Sequence, residues 1–232
     1  MISIIIPAYN EEKYLPNLLE CIKRQTYRNY EIIVADADST DNTRLIAQKY
    51  GCRVVNGGLP AASRNSGAGH AKGSILLFMD ADVEIERNFL KQAICEFAER
   101  KLDAAACYIT PSGSRMIDVI FFHLYNSWTF MFQLVYPQAT AHGIFCSKKL
   151  HKKINGFDET IRITEDADYV NRCSKSARFR MLRKPRAVAS VRRFEREGRI
   201  KLAAKLAFLG LYRIFFGDLR KDLIPYDFRY RK

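Results

Sequence analysis

The sequence predicts an α/β protein with a mainly parallel central sheet, helices on both faces and a basic helical C-terminal extension. Three observations carry this. Short apolar runs alternate with amphipathic stretches along most of the chain. The run Ile75 to Met79 is continuously apolar, the pattern of a strand buried on both faces. The formal net charge of +13 is concentrated after residue 177, where 17 Lys and Arg stand against 5 Asp and Glu.

The elements follow in order. Ile2 to Ile6 reads as a first strand, ended by Pro7 and Asn10, and Asn10 can cap the next helix. That helix shows Leu15, Leu18, Leu19 and Ile22 on one face, with Pro16 tolerable only in its first turn. Glu31 to Ala35 reads as a second strand. After it, Thr40 or Asp41 caps a helix that ends near Gly51. Arg53 to Asn56 is a short third strand. Ala61 to Ala71 is helical, Gly73 stops it, and Ser74 to Met79 is the fourth strand. Phe89, Leu90, Ala93, Ile94 and Phe97 mark a further helix, Ala104 to Thr110 a further strand, and Asp166 to Ser176 a helix opening on acids.

With 48% hydrophobic and 27% charged residues, the chain has ordinary globular composition. No linker, repeat or low-complexity tract divides it. One α/β unit over 1–197 with an extension over 198–232 is the expected organisation. The six cysteines are scattered without a C-x-x-C pair. They are expected to be reduced and mostly buried, as in a cytoplasmic protein. The apolar start, Met1 to Pro7, is too short for a signal peptide and lacks a basic beginning.

Two carboxylates, Asp80 and Asp82, follow the fourth strand one residue apart, with Ala81 between them. Ligands of open α/β sheets bind outside the carboxyl ends of the strands. A hard divalent cation, Mn²⁺ or Mg²⁺, shared with a diphosphate needs only one or two carboxylates. The first strand ends in Pro7-Ala8-Tyr9-Asn10-Glu11-Glu12 and the second in Asp36. These ends, with Arg64 and Asp82, are expected around one crevice. There Tyr9 can stack on a base, Asp36 can accept from a base N–H, and Arg64 can face phosphate. Gly67, Gly69 and Gly73 lie before the fourth strand rather than after the first, so they read as packing and cap glycines, not as a dinucleotide fingerprint. No P-loop occurs. A sugar nucleotidyltransferase would want a Gly-rich loop after the first strand, and Pro7 to Glu12 is not one.

Five segments together resemble the family 2 glycosyltransferases of GT-A fold: Ser3 to Glu12, Ala35 to Thr43, Ala61 to Asp82, Asn155-Gly156-Phe157-Asp158-Glu159 and Thr164-Glu165-Asp166-Ala167-Asp168. They stand in the family's order and cover about residues 1–185, with dolichyl- and polyprenyl-phosphate sugar synthases among the similar enzymes. The resemblance implies a UDP- or GDP-sugar donor, a divalent metal and inversion at the anomeric carbon. It makes Asp36 the base-binding residue, Asp82 the metal ligand and Asp166 the catalytic base. Asp38 stands where the family usually has Gly, so the turn after the second strand departs from the pattern.

The chemistry agrees. Departure of the diphosphate leaves negative charge, which a metal on Asp82 can neutralise and which Arg64, or Arg192 and Arg193, can meet with charge-assisted hydrogen bonds. Carboxylates beside Asp166 can raise its pKa toward neutrality, as suits a base, although acids at a helix start also serve as caps.

Met116 to Tyr136 is long, apolar and aromatic but broken by Asp118, His123, Asn126 and Gln133, so it is a poor transmembrane candidate. It reads as an amphipathic helix beside the acceptor, with an interfacial helix or a core helix as the alternatives. In the extension, Leu202 to Phe216 mixes apolar and basic residues. This favours an anionic membrane surface over nucleic acid and suits a lipid-linked acceptor such as a polyprenyl phosphate, with peripheral binding on the inner face of the membrane. The alternatives are a soluble glycosyltransferase for a small molecule or protein, and a non-catalytic nucleotide-sugar-binding protein.

Overall fold

Ile2, Ile4, Ile5 and Ile6 are all fully buried because the first strand lies inside the sheet and is covered on both sides. In the computed structural model, which describes residues 1–217, this strand is β1, Ile2–Ala8. There follow α1 (Leu15–Lys23), β2 (Tyr30–Asp36), α2 (Thr43–Lys49), β3 (Arg53–Asn56), α3 (Pro60–His70), β4 (Ile75–Phe78) and β5 (Val83–Ile85). Next come α4 (Phe89–Glu99), β6 (Ala104–Pro111), α5 (Met116–Phe132), β7 (Ile144–Ser147), α6 (Lys148–Lys153) and α7 (Glu165–Ser176). The described chain closes with β8 (Phe179–Ala189), α8 (Arg192–Glu197) and α9 (Arg199–Phe216). Residues 218–232 of the basic extension lie outside the described residues.

Among the described residues the sheet has eight strands in the order β3-β2-β1-β4-β7-β6-β8-β5. Four pairings are parallel and three, β4–β7, β6–β7 and β5–β8, are antiparallel. The expected α/β architecture is present, with two short antiparallel strands that the sequence did not reveal. β5 and β7 have only three and four residues, too few to show a period.

Alternation along β1 divides the core. Ile2, Ile4 and Ile6 pack with Leu15, Leu18, Leu19 and Ile22 of α1, while Ile5 packs on the other face with Ala68 of α3 and Tyr169 of α7. Pro16 sits in the first turn of α1, where it removes no helical bond.

Three expectations about helix starts and strand ends are corrected. β1 runs on through Pro7 and Ala8, which pair with Ala35 and Asp36. Asn10 does not cap α1: it takes a left-handed φ of 54°, and its Oδ1 accepts from Thr40 N at 2.8 Å. Asp41 accepts from Thr43 N, but Asn42 occupies the cap position of α2. The side chains expected to cap helices instead zip two loops together. Glu11 N donates to Thr43 Oγ1, Glu12 N to Asp41, and Asn42 N to Glu12. Asp38, where the resembling family usually has Gly, adopts φ 57° in the same loop, a region that short polar Asp tolerates better than most residues.

The sheet has to curl. Three strands separate β4 from β5, a distance of roughly 19 Å in a flat sheet, yet only residues 79–82 join them. That link makes a turn and is too short for a flat span. β8 supplies the bend: its register with β6 jumps from Ala106↔Met181 to Tyr108↔Arg186, so Leu182 to Pro185 bulge out. The far edge of the sheet thereby returns to the end of β4.

Gly67 has no room for a side chain, because a Cβ there would lie 2.4 Å from Ile5 Cγ2 in the core. Gly67→Ala is expected to lower stability by about 1–3 kcal/mol through overpacking, and urea denaturation checks this. If this contact is the cause, Gly67→Ala and Ile5→Ala combined should cost less than the sum of the two single losses.

Candidate active site

The carboxyl ends of β1, β2 and β4 meet at one edge. β4 stops at Phe78, and the chain turns through Asp80-Ala81-Asp82 into β5. Asp80 N donates to Ala141 O at 3.0 Å, and Ala141 N donates to Asp166 Oδ2 at 3.1 Å. The backbone of one residue thus staples the Asp-x-Asp turn to the acidic start of α7. Sequence reading missed Ala141, since a backbone contact leaves no mark on residue type.

Arg64 lies beneath this edge. α3 carries its side chain inward, where it is 4% exposed and gives NH1 to Glu165 Oε1 at 2.6 Å and NH2 to Asp80 Oδ1 at 2.9 Å. Its guanidinium lies 5.5 Å from the centre of the Phe157 ring. Phe157 stacks on Tyr169 at 3.9 Å and meets Phe78 edge-on at 4.9 Å. The segment Asn155 to Glu159 therefore builds the floor. Asn155 and Gly156 take φ of 58° and 66°, and Asn65 both accepts from Phe157 N and donates to Phe157 O. Arg64 does not open toward the crevice as its expected phosphate role requires; it is committed to two carboxylates.

Asp166 is half-buried at the start of α7. Burial, with the charge of neighbouring Glu165, pushes its carboxyl up to about 7. Arg64 and the hydrogen bond from Ala167 N work in the opposite direction and do not prevail. The residue ahead of the acidic pair, Thr164, is held at φ 69°, an unusual conformation for a β-branched side chain.

A second cation sits on the outer side. Arg192, at the start of α8, gives NH1 and NH2 to the two oxygens of Glu11 at 3.0 and 2.7 Å. Its Nε lies 3.0 Å from Asp82 Oδ2, and its guanidinium covers the Tyr14 ring at 4.3 Å. Burial raises the pKa of Glu11 despite the pairing with Arg192. Arg193 instead pairs with Glu197, because consecutive helical residues point about 100° apart. The two arginines therefore do not form one clamp.

Asp36 ends β2 fully buried. Its Oδ2 accepts from Ser39 N at 3.3 Å and meets Arg44 NH1 at 3.4 Å, while Oδ1 has no partner. A buried acceptor left over is a costly feature in a protein interior. Pro7 and Ala8 line the end of β1 beside it, with half-buried Tyr9 following.

Among the described residues no three acidic, His or Cys side chains converge as a metal cage. The donor set fits a cation that Asp82 shares with a ligand and does not fit an all-protein site.

The family model for glycosyl transferase family 2 matches residues 3–155. The chain is similar to a 4,4'-diaponeurosporenoate glycosyltransferase of Staphylococcus haemolyticus, 40% identical over 109 residues, or 43% of this chain and 29% of that protein. It is also similar to the minor teichoic acid biosynthesis protein GgaB of Bacillus subtilis, 31% identical over 189 residues, or 73% of this chain and 20% of that protein. The chain thus spans less than a third of these two relatives. Among solved structures it is similar to the Pyrobaculum calidifontis mannosyltransferase PcManGT in complex with GDP-Man and Mn²⁺. The TM-score is 0.68 at 20% identity, over 89% of this chain and 64% of that one. Residues 1–349 of Staphylococcus aureus TarS with UDP-GlcNAc give a TM-score of 0.67 at 24% identity, over 82% of this chain and 58% of that one. These likenesses establish the GT-A fold.

Two outcomes are expected. Arg64→Met leaves Asp80 and Glu165 facing each other without their cation and should cost about 3–5 kcal/mol in chemical denaturation. Asp166→Asn acts through linkage. The folded carboxyl holds its proton up to about pH 7, whereas the unfolded one loses it near 3.8. Over that window the native protein binds more protons, so its stability falls as pH rises. Asp166→Asn removes the titration. The stability of the variant relative to the native protein should therefore rise between pH 4 and 7, in melts followed across that range.

Proposed function

The chain belongs to glycosyl transferase family 2, and on that premise we propose that it transfers a sugar from a UDP- or GDP-sugar to an acceptor hydroxyl or phosphate, with inversion at the anomeric carbon. One observation carries the reading: Asp80-Ala81-Asp82 at the β4 end is tied through Arg64 to Glu165 and through Ala141 to Asp166, whose carboxyl is pushed up to about 7.

In this mechanism Asp36 Oδ1, the buried acceptor with no protein partner, receives an N–H of the donor's base. Tyr9 stacks nearby, with Pro7, Ala8 and Glu11 forming the wall. Asp82 would hold a divalent cation, which when bound would neutralise the leaving group's charge. Arg192, beside Asp82, adds charge-assisted hydrogen bonds to the diphosphate once a donor competes for it. Asp166 accepts the proton of the acceptor hydroxyl as that oxygen bonds to the anomeric carbon and the bond to the diphosphate breaks. A single displacement of this kind inverts the centre. An ionised phosphate acceptor would need no base, and Asp166 would then orient it through its protonated form. Arg64 and Glu165 fix the position of Asp166 and touch no substrate.

The acceptor class we favour is a lipid-linked phosphate at a membrane surface, which the basic excess after residue 177 would attract. The extension from residue 198 would serve this peripheral attachment. Among the described residues no helix is long and apolar enough to cross a membrane.

Asp82→Asn should weaken Mn²⁺-dependent binding of UDP or GDP by about tenfold or more, a loss of roughly 1.4 kcal/mol, in calorimetry on a folded variant. Asp166→Asn should leave that binding intact and lower turnover on a hydroxyl acceptor by about 100- to 10,000-fold. Unchanged metal-dependent affinity in Asp82→Asn would overturn the metal assignment, and undiminished turnover in Asp166→Asn would overturn the base.

A further inference from the structure

α5 and α9 are tied at both ends, start to start and end to end. At their first turns Arg199 Nε lies 2.8 Å from Oδ1 of buried Asp118. At the other end Tyr136, just past α5, donates to Arg213 O near the end of α9. Phe194 of α8 packs on Phe121 and Phe122 and fixes the α8–α9 turn to α5.

The face that α5 turns outward is apolar. Met116, Ile120, Leu124 and Met131 recur at helical spacing and are exposed, Leu124 by 63%. Phe130 flanks them, and Leu134 and Val135 carry the surface past the helix end, Val135 with 84% exposure. No Asp, Glu, Lys or Arg is exposed between Met116 and Val135; the other exposed residues are His123 and Ser127. On α9, Ile200, Leu206 and Phe208 are also exposed. Ten of the fourteen exposed large apolar side chains of the described residues thus lie on these two helices and the turn after α5. Scattered exposed apolar residues are ordinary, but a continuous face marks an interaction surface.

We propose that this face lies flat on an anionic lipid bilayer, with α5 as its main inserting element. This deepens, and rests on, the membrane reading above, while moving the apolar anchor from the extension to α5. Charge selects the occupant. Exposed Arg115, Arg196 and Lys201 border the face, and the chain carries +13 overall. A second copy docked on the same face would oppose positive rim to positive rim, whereas an anionic surface complements both rim and stripe. α5, like every other described helix, is not long and apolar enough to cross a membrane. The inward side of α5 carries Tyr125, whose environment includes Asp166 and Thr140. Asp166 therefore lies on the inward side of α5, opposite the exposed apolar face.

The test uses the full chain and vesicles of phosphatidylcholine with and without phosphatidylglycerol. Trp128, the single tryptophan, lies on α5 and reports directly. The native protein should co-sediment with the anionic vesicles, less so at high salt, and its Trp128 emission should shift to the blue. The double variant Leu124→Ser/Met131→Ser should lower this binding about tenfold or more. Its metal-dependent UDP or GDP affinity should be unchanged, which shows that the fold persists. Equal vesicle binding by the double variant would overturn the assignment to α5. Failure of the native chain to bind, or a dimer in light scattering that the double variant dissolves, would overturn the bilayer itself. Neither result bears on nucleotide binding, so sugar transfer stands or falls separately.

Discussion

The buried guanidinium of Arg64 joins Asp80, at the end of β4, to Glu165, at the start of α7. Without it, Asp80, Glu165 and Asp166 would bring three negative charges to one half-buried corner. A single cation can balance only part of that charge. The remainder appears in Asp166, whose burial and whose neighbour Glu165 keep its proton on until about pH 7. Arg64 itself is buried at a cost, with Nε lacking a partner. Its compensation is two charge-assisted bonds and the Phe157 ring, held by Asn65 and Tyr169. The aromatic floor, the left-handed turn at Asn155-Gly156 and the α3 helix all serve to fix that one side chain.

The two arginines at the edge divide the work by depth. Arg64 is enclosed and its partners are protein carboxylates. Arg192 is on a short helix at the outer side, and its contacts, Glu11 and Asp82, belong to the loops that rim the crevice. A cation at the rim can exchange partners when an anionic ligand arrives, whereas a cation in the floor cannot without losing the fold. Curling of the sheet makes both positions possible. The bulge in β8 at Leu182 to Pro185 brings the β8–β5 edge back toward β4, and α8 follows directly after β8.

α5 shows how one helix can face two environments. Its buried side holds Asp118, which Arg199 neutralises, and Asn126, which both accepts from and donates to the backbone of Ile109 in β6. Its outer side has no exposed Asp, Glu, Lys or Arg. The polar residues that interrupt the apolar sequence are therefore mostly the inward ones, the reverse of a surface helix in a soluble domain.

Residue periodicity and composition by themselves determined most of the elements, the covered sheet and the acids at strand ends. Apolar runs at period two or 3.6 can satisfy their burial in few ways, and ligands collect where parallel strands end. The family was legible in five ordered segments, as was the glycine-like demand at Asp38, which the left-handed φ now explains. Tertiary structure alone decided the rest. β5 and β7 are too short to show a period. Asn10 spends its side chain across loops rather than on a helix, and Asp41 divides its own between Thr43 N at the start of α2 and Glu12 N across the loop. Arg64 goes inward to carboxylates that lie 16 and 101 residues away, and Ala141 acts through its backbone. Local patterns record what a residue prefers near its chain neighbours. Which distant charge it must balance, and which backbone group it must satisfy, is set only once the sheet has closed around it.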